Sequence, residues 1–116
     1  FSMKYTPYHP DFSAFYPAFL ADYDRARSCG RLMADDRLPD NICGISAVPG
    51  TSFTSFSFGG DPKADFTPFV LYGRYAREGE RVKLPVSGEF SHAVNDGLHI
   101  SRFFQELEAA ANSLFG

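Results

Sequence analysis

Cysteine is scarce: Cys29 and Cys43 are the only two. Two thiols make no disulfide framework, which excludes a stapled extracellular scaffold and sets a reducing compartment, the cytoplasm by default, as the expectation. Long apolar runs are missing too. Phe69-Val70-Leu71-Tyr72 is typical, against the ~20 residues a bilayer-spanning helix needs, so no membrane partner is expected. Basic residues are not in excess. Eleven Lys and Arg stand against 14 Asp and Glu, a formal net charge of −3. A general nucleic-acid surface, which needs clustered cations, is thereby excluded, though a small basic spot for one phosphorylated ligand is not. Internal repeats, low-complexity tracts and long linkers are absent, so the 116 residues read as one domain or part of one. The chain opens on Phe1 rather than Met, so either a segment upstream of it is expected or Met3 is the start, with Phe1 and Ser2 added ahead of it.

What is abundant is aromatic: 13 Phe and six Tyr, enough to fill a core and to line an apolar pocket. Phe12, Phe15, Tyr16, Phe19, Leu20 and Tyr23 recur at helical spacing. Pro17 fits that helix only if it begins near Ser13, which places the proline in the first turn. Gly30 is a natural stop. Residues 42–48 read as a short buried strand ended by Pro49-Gly50. Residues 52–58 alternate, so a regular strand would put Phe56 and Phe58 on one face and Phe53 on the other. Residues 67–76 read as a further strand, with Glu78-Gly79 turning into a last one over 81–91. Ile100, Phe103, Phe104, Leu107, Ala111 and Leu114 then mark an amphipathic helix. Helix, strands, helix predicts an α/β fold: a two-layer sandwich with helices on a mixed, largely antiparallel sheet.

Chemistry concentrates in Ser91-His92-Ala93-Val94-Asn95-Asp96-Gly97, between the last strand and the last helix. Loops held by a rigid sheet often carry catalytic groups. A neutral imidazole can take a proton from a hydroxyl, which makes His92 a candidate general base. Asp96 and Gly97 can hold local geometry and permit a tight entry into the helix. A plainer reading makes His92 a strand-end histidine and Asp96 the helix N-cap. A metal site is a third possibility, because His92, Asp96 and His99 stand at i, i+4, i+7. Gly97 and the preceding strand argue against the continuous helix it would need, and no metal is expected.

Residues 91–99 resemble the His-His-Ala-Val-Cys-Asp-Gly-Phe-His signature of the chloramphenicol acetyltransferases. The likeness continues elsewhere in register. Ile45-Ser46-Ala47-Val48-Pro49 and Ser52-Phe53-Thr54-Ser55-Phe56 are similar to that family's Ser-Ala-x-Pro-Trp…Ser-Phe-Thr-Ser-Phe stretch. Phe66-Thr67-Pro68, Gly73-Arg74-Tyr75, Gly79 and Leu84-Pro85 keep its order. The likeness starts at Phe1 and covers the family's C-terminal half, implying that residues 1–116 are the C-terminal part of a single acetyltransferase domain whose N-terminal half is missing.

The resemblance implies direct acetyl transfer from acetyl-CoA, as co-substrate, to a hydroxyl of chloramphenicol or a similar small acceptor, giving antibiotic resistance. In that scheme His92 is the base and Ser46 a donor to the oxyanion of the tetrahedral intermediate, a role worth most where charge develops. Asp96, with Gly97, supports the site, and Asp96 would pair with an arginine of the N-terminal half. Arg74 and Tyr75 would meet the CoA nucleotide, a cation on phosphate and a ring on adenine; the alternative is a solvated charge and a half-buried aromatic. Phe1, Ser2, Phe56, Phe58 and Glu89 would line the acceptor site, although by composition the phenylalanines suit a core equally. Without the likeness, Ser46 would be a core-strand serine bonded to backbone. The implied assembly is a homotrimer with active sites between subunits.

Four departures stand out. Ser91 replaces the first histidine of the family's pair, Asn95 replaces Cys, Gly50 replaces Trp and Glu89 replaces Gln. The last two flank the acceptor and leave its identity open. Dihydrolipoamide acyltransferases share the fold with an Asp-His-Arg-Val-x-Asp-Gly signature, in which Ala93 stands in place of the Arg. They are the alternative enzyme reading, and a non-catalytic half-domain is the alternative of another class.

Overall fold

The computed structural model describes residues 2–56 and 66–115. They fall into two units that divide between Asp40 and Asn41.

In the first unit Asp11 sits in extended backbone, and its carboxylate accepts from the Ser13 backbone N–H at 2.9 Å. This is an N-cap that satisfies one of the donors every helix start leaves open. The helix it starts, α1, spans Phe12–Ser28. The helix begins next to the expected Ser13, yet Pro17 lies in its second turn, not the first, where a proline is tolerated. It removes one i→i−4 bond, to the Ser13 carbonyl, without ending the helix. Arg25 and Arg27 occupy the last turn, where cations suit the helix dipole. Gly30 follows with φ 66°, the left-handed conformation that stops helices at low cost.

The expected strand end at the start of the chain is a single bridge. Met3 pairs with Met33, with Met3 N–H donating to the Leu32 carbonyl at 2.7 Å and Ala34 N–H to the Met3 carbonyl at 2.9 Å. Lys4 secures it. Its ammonium reaches Asp35 at 2.6 Å and buried Asp22 of α1 at 3.6 Å. The hydrogen bond to Asp35 raises the Lys4 pKa, and the same bond holds the Asp35 carboxyl below its ordinary value.

In the second unit β1 (Gly44–Ala47), β2 (Phe69–Tyr72), β3 (Ala76–Glu78), β4 (Arg81–Lys83) and β5 (Val86–Glu89) precede the helix α2 (Gly97–Phe115). One sheet has the order β1-β2-β5. β1 runs parallel to β2 and β5 antiparallel to it, so the sheet is mixed as expected. The register aligns Ser46, Leu71 and Ser87 in one row. β3 and β4 form a separate hairpin through Gly79, φ 63°.

The strands are shorter than the residue pattern implies. The expected strand over 67–76 stops at Tyr72, because Gly73 N–H turns to the Pro85 carbonyl and Arg74 N–H to the Thr51 carbonyl, at 3.0 and 2.7 Å. The strand over 81–91 breaks at Leu84-Pro85, which lets β4 serve the hairpin and β5 the sheet. Residues 52–56 are not a strand, and the Phe53 and Phe56 rings meet at a tilt with centroids 6.0 Å apart rather than facing opposite ways. The Phe56 carbonyl instead accepts from the Ser87 hydroxyl at 3.0 Å, pinning this segment to β5.

Leu71, on the central strand, is the one apolar residue among those described that is buried. The expectation that β1 is a buried strand does not hold: Ile45 is 67% exposed. β1 and β5 are the two edges of the sheet. Phe90 meets Phe103 of α2 edge-on at 5.1 Å, which brings the helix against the end of β5.

Candidate active site

α2 begins where it does because of Asp96. Its carboxylate accepts from the N–H groups of Leu98 and His99, at 3.0 and 3.1 Å, and its carbonyl accepts from Ile100 at 3.2 Å. These bonds, that from His99 foremost, favour the ionised form and lower the Asp96 pKa. His99 returns the contact: its Nδ1 accepts from the Asp96 N–H at 3.1 Å. Asp96 and His99 thus form a reciprocal cap at N-cap and N3, with histidine in the place usually taken by Glu or Gln. The same Nδ1 lies 3.1 Å from the Asp96 carboxylate, a contact that becomes an ion pair only with a protonated ring. With a neutral ring, the backbone N–H is the partner Nδ1 can accept from.

The loop before this cap carries His92. Val94 and Asn95 N–H groups donate to the Ser91 carbonyl, and the Asn95 side-chain amide adds a third bond to the same oxygen at 3.0 Å. The turn so closed presents the Asn95 carbonyl to His92, whose Nδ1 lies 2.9 Å away. A carbonyl only accepts, so in the neutral ring Nδ1 carries the proton and Nε2 keeps its lone pair. The His92 residue is exposed. Asn95, which departs from the family signature, makes the side-chain bond that closes the turn.

The other expected site residues are carried by several different elements. Ser46 is on β1 and exposed, not the buried strand serine the plainer reading required. Arg74 and Tyr75 are exposed in the link between β2 and β3, Tyr75 at 61%. Glu89 ends β5, opposite Phe69, and is half-buried. Phe56 lines an open groove of about 390 Å³ with Phe53, Ser55, Ser87 and Phe104 among its walls. Neither His92 nor Ser46 lines that groove. Ser2 belongs to the first unit, where its hydroxyl donates to the Arg31 carbonyl at 2.6 Å and receives the Cys29 thiol at 3.5 Å. Phe1 and Phe58 lie outside the described residues.

Sequence reasoning took His99 only as a metal candidate and as the end of the signature, read Phe104 only as part of the apolar face of a helix, and passed over Ser87. Spacing held the signal for the first, since a residue three beyond an N-cap Asp is where a reciprocal cap forms. No group of three or more His, Cys, Asp or Glu among the described residues could hold a metal ion. His92 lies outside α2, so His92, Asp96 and His99 do not share one helical face. No helix among the described residues is long and apolar enough to cross a membrane.

The family model for chloramphenicol acetyltransferase matches residues 1–108. The chain belongs to the chloramphenicol acetyltransferase family. Among its relatives, "Chloramphenicol acetyltransferase 3" of Escherichia coli is 35% identical over 114 residues, 97% of this chain and 54% of that protein. The Staphylococcus aureus chloramphenicol acetyltransferase is 30% identical over 109 residues, 93% of this chain and 50% of its own length. A solved chloramphenicol acetyltransferase structure matches with a TM-score of 0.70 at 24% identity, covering 90% of this chain and 51% of that one. That likeness carries the fold. The chain spans about half the length of the curated relatives it matches.

Proposed function

We propose that this chain carries the acetyl-transfer half of an acyltransferase, moving acetyl from acetyl-CoA to a hydroxyl of chloramphenicol or a similar small acceptor and so conferring resistance in the cytoplasm. The observation that carries the proposal is the state of His92. Its Nδ1–H is committed to the Asn95 carbonyl, which leaves an exposed Nε2 lone pair as the base. In the proposed reaction Nε2 removes the acceptor hydroxyl proton as the oxygen attacks the thioester carbonyl. The tetrahedral oxyanion accepts from the Ser46 hydroxyl. Collapse expels the CoA thiolate, which takes the proton back from the His92 imidazolium.

Arg74 and Tyr75 supply the chemistry a CoA nucleotide needs, a cation for phosphate and a ring for adenine, and both are exposed side by side. Phe56, with Glu89 and the segments holding Phe1, Ser2 and Phe58, is assigned to the acceptor. In this reading the site is completed from elsewhere: by the half of the domain that the relatives have in addition, and by a neighbouring subunit of a homotrimer. Release of free thiol from acetyl-CoA in the presence of chloramphenicol, followed with a thiol reagent on the protein carrying both halves, tests the reaction. Thiol release that ignores the acceptor would sink it. Sedimentation of that protein as a monomer would sink the trimer.

A further inference from the structure

One peptide group stands between two histidine rings. The carbonyl of Asn95 lies 2.9 Å from Nδ1 of His92, and the N–H of the same peptide group, on Asp96, donates to Nδ1 of His99 at 3.1 Å. The described chain has no cis peptide, so C=O and N–H leave opposite edges of that plane, and the two rings approach it from opposite sides. The protons run one way along the line, from His92 into the carbonyl and from the N–H into His99. We propose that His99 is a positioning residue for His92, holding the Asn95–Asp96 peptide plane and thereby setting the tautomer and orientation of the base.

The argument is one of donors and acceptors. A neutral imidazole has one donor nitrogen and one acceptor nitrogen, and which is which follows from what its partners require. The Asn95 carbonyl requires a donor at His92 Nδ1. Two groups of Asp96 lie 3.1 Å from His99 Nδ1: its N–H, which calls for an acceptor, and its carboxylate, which would take a donor. Nδ1 is assigned to the N–H, because the carboxylate already accepts from the Leu98 and His99 N–H groups. Hydrogen bonds in a chain polarise one another, by perhaps 10–30% per bond. An acceptor on the N–H side therefore strengthens the carbonyl as an acceptor on the other. A stronger bond at His92 Nδ1–H fixes that ring and raises the basicity of its Nε2, as partners of histidine ligands do in metal sites. Among the described residues, the peptide plane is otherwise held from its flanks, by the Ser91 carbonyl on the Asn95 side and by the Asp96 carboxylate in the first turn of α2. Since the role assigned to His99 acts through His92, it rests on the proposed acetyl transfer for its catalytic consequence, but not for its structural content.

The test is nitrogen-15 spectroscopy of histidine-labelled protein, with both halves of the domain present, on the alkaline side of both histidine titrations. His92 should show a protonated Nδ1 and a bare Nε2, and His99 the reverse. In His99→Phe, which keeps a ring and removes the acceptor, His92 should lose its single-tautomer pattern, and kcat should fall with little change in KM for acetyl-CoA. His99→Asn should restore both, because its Oδ1 stands where Nδ1 did relative to Cβ. A His99 that carries its proton on Nδ1 overturns the proposal in the unaltered protein, whether or not a variant folds. So does a His92 tautomer indifferent to folded His99→Phe. Coupled tautomers in a protein that transfers no acetyl would retire the proposed function and leave this inference standing.

Discussion

His92 Nδ1 donates to the Asn95 carbonyl across 2.9 Å, a bond closed within a four-residue loop. It fixes which nitrogen faces outward before any substrate arrives. Replacing the ring should therefore cost chemistry and not fold. In the protein carrying both halves of the domain, His92→Ala should lower acetyl transfer about 100- to 10,000-fold, the range for a positioned base. Thermal melting should be nearly unchanged, since the residue is exposed. Near-full turnover with acetyl-CoA as donor would reject the role. Loss of folding along with activity would point to a structural histidine instead.

Ser46 sits in register with Leu71 and Ser87 across the sheet, its position set by the parallel ladder between β1 and β2. A hydroxyl on a strand is held more firmly than one on a loop, which suits a donor that must be in place when charge develops. In the protein carrying both halves, Ser46→Ala should lower kcat about 100- to 1,000-fold while leaving KM for both substrates within a small factor. Weakened acetyl-CoA binding with unchanged kcat would make Ser46 a ground-state contact.

Asp96 links stability to pH. Its carboxyl titrates below the ordinary value of 3.8, chiefly because the His99 N–H donates to it. A depressed pKa stabilises the fold above the ordinary carboxylate range, and that contribution fades as the pH falls through the folded value. Asp96→Ala should therefore melt at lower temperature than the parent near pH 7, with the gap closing toward pH 3. A gap that stays constant over that interval would show that the ionised cap contributes nothing.

Gly73 is where the chain leaves the sheet and passes between two other segments. A Cβ at this position would lie 2.6 Å from the Thr51 carbonyl oxygen and 2.9 Å from the Phe53 ring. The backbone oxygen cannot retreat easily, because it accepts from the Arg74 N–H at 2.7 Å. Gly73→Ala should cost about 1–3 kcal/mol, the usual range for overpacking. Chemical denaturation would measure it, and a change within error of zero would mean that the Thr51 segment yields freely.

The residues that were legible in advance are those whose roles are local. Helical spacing marked α1 and α2, Gly30 marked a stop, and Glu78-Gly79 marked the hairpin, because each depends on neighbours within a few positions. The plainer expectation for Asp96, a helix N-cap, is also what the chain does. Alternation misled where a strand had to answer to more than its own period. Residues 52–56 alternate but are held by Ser87 as a segment lying on β5. Residues 67–76 would continue as a strand but for the pull of Thr51 and Pro85 on Gly73 and Arg74. Buried β1 was a reasonable expectation from its apolar residues, yet burial depends on what lies beside an edge strand, which its own letters do not contain. The relation of His92 to His99 is carried by a backbone plane, and no residue pattern displays that.

The last prediction concerns residues 1–116 by themselves. Leu71 is the sole apolar residue buried among those described, while Ile45 and Leu98 are 67% and 76% exposed. A sheet with one buried leucine gains little from the ~25 cal/mol per Å² that apolar burial contributes. A catalytic base must be held within roughly 0.5 Å of its productive geometry, and His92 is supported here only by its own loop and the cap of α2. The relatives are about twice as long as the stretch they share with this chain. We therefore expect residues 1–116 alone to release no CoA from acetyl-CoA and chloramphenicol above background. The polypeptide matching the other half of the relatives, supplied in trans or joined in cis, should restore activity and cover Ile45, which protection of the β1 amides from hydrogen exchange would register. Robust turnover by residues 1–116 alone would refute the argument, because the described side chains would then suffice to build the site.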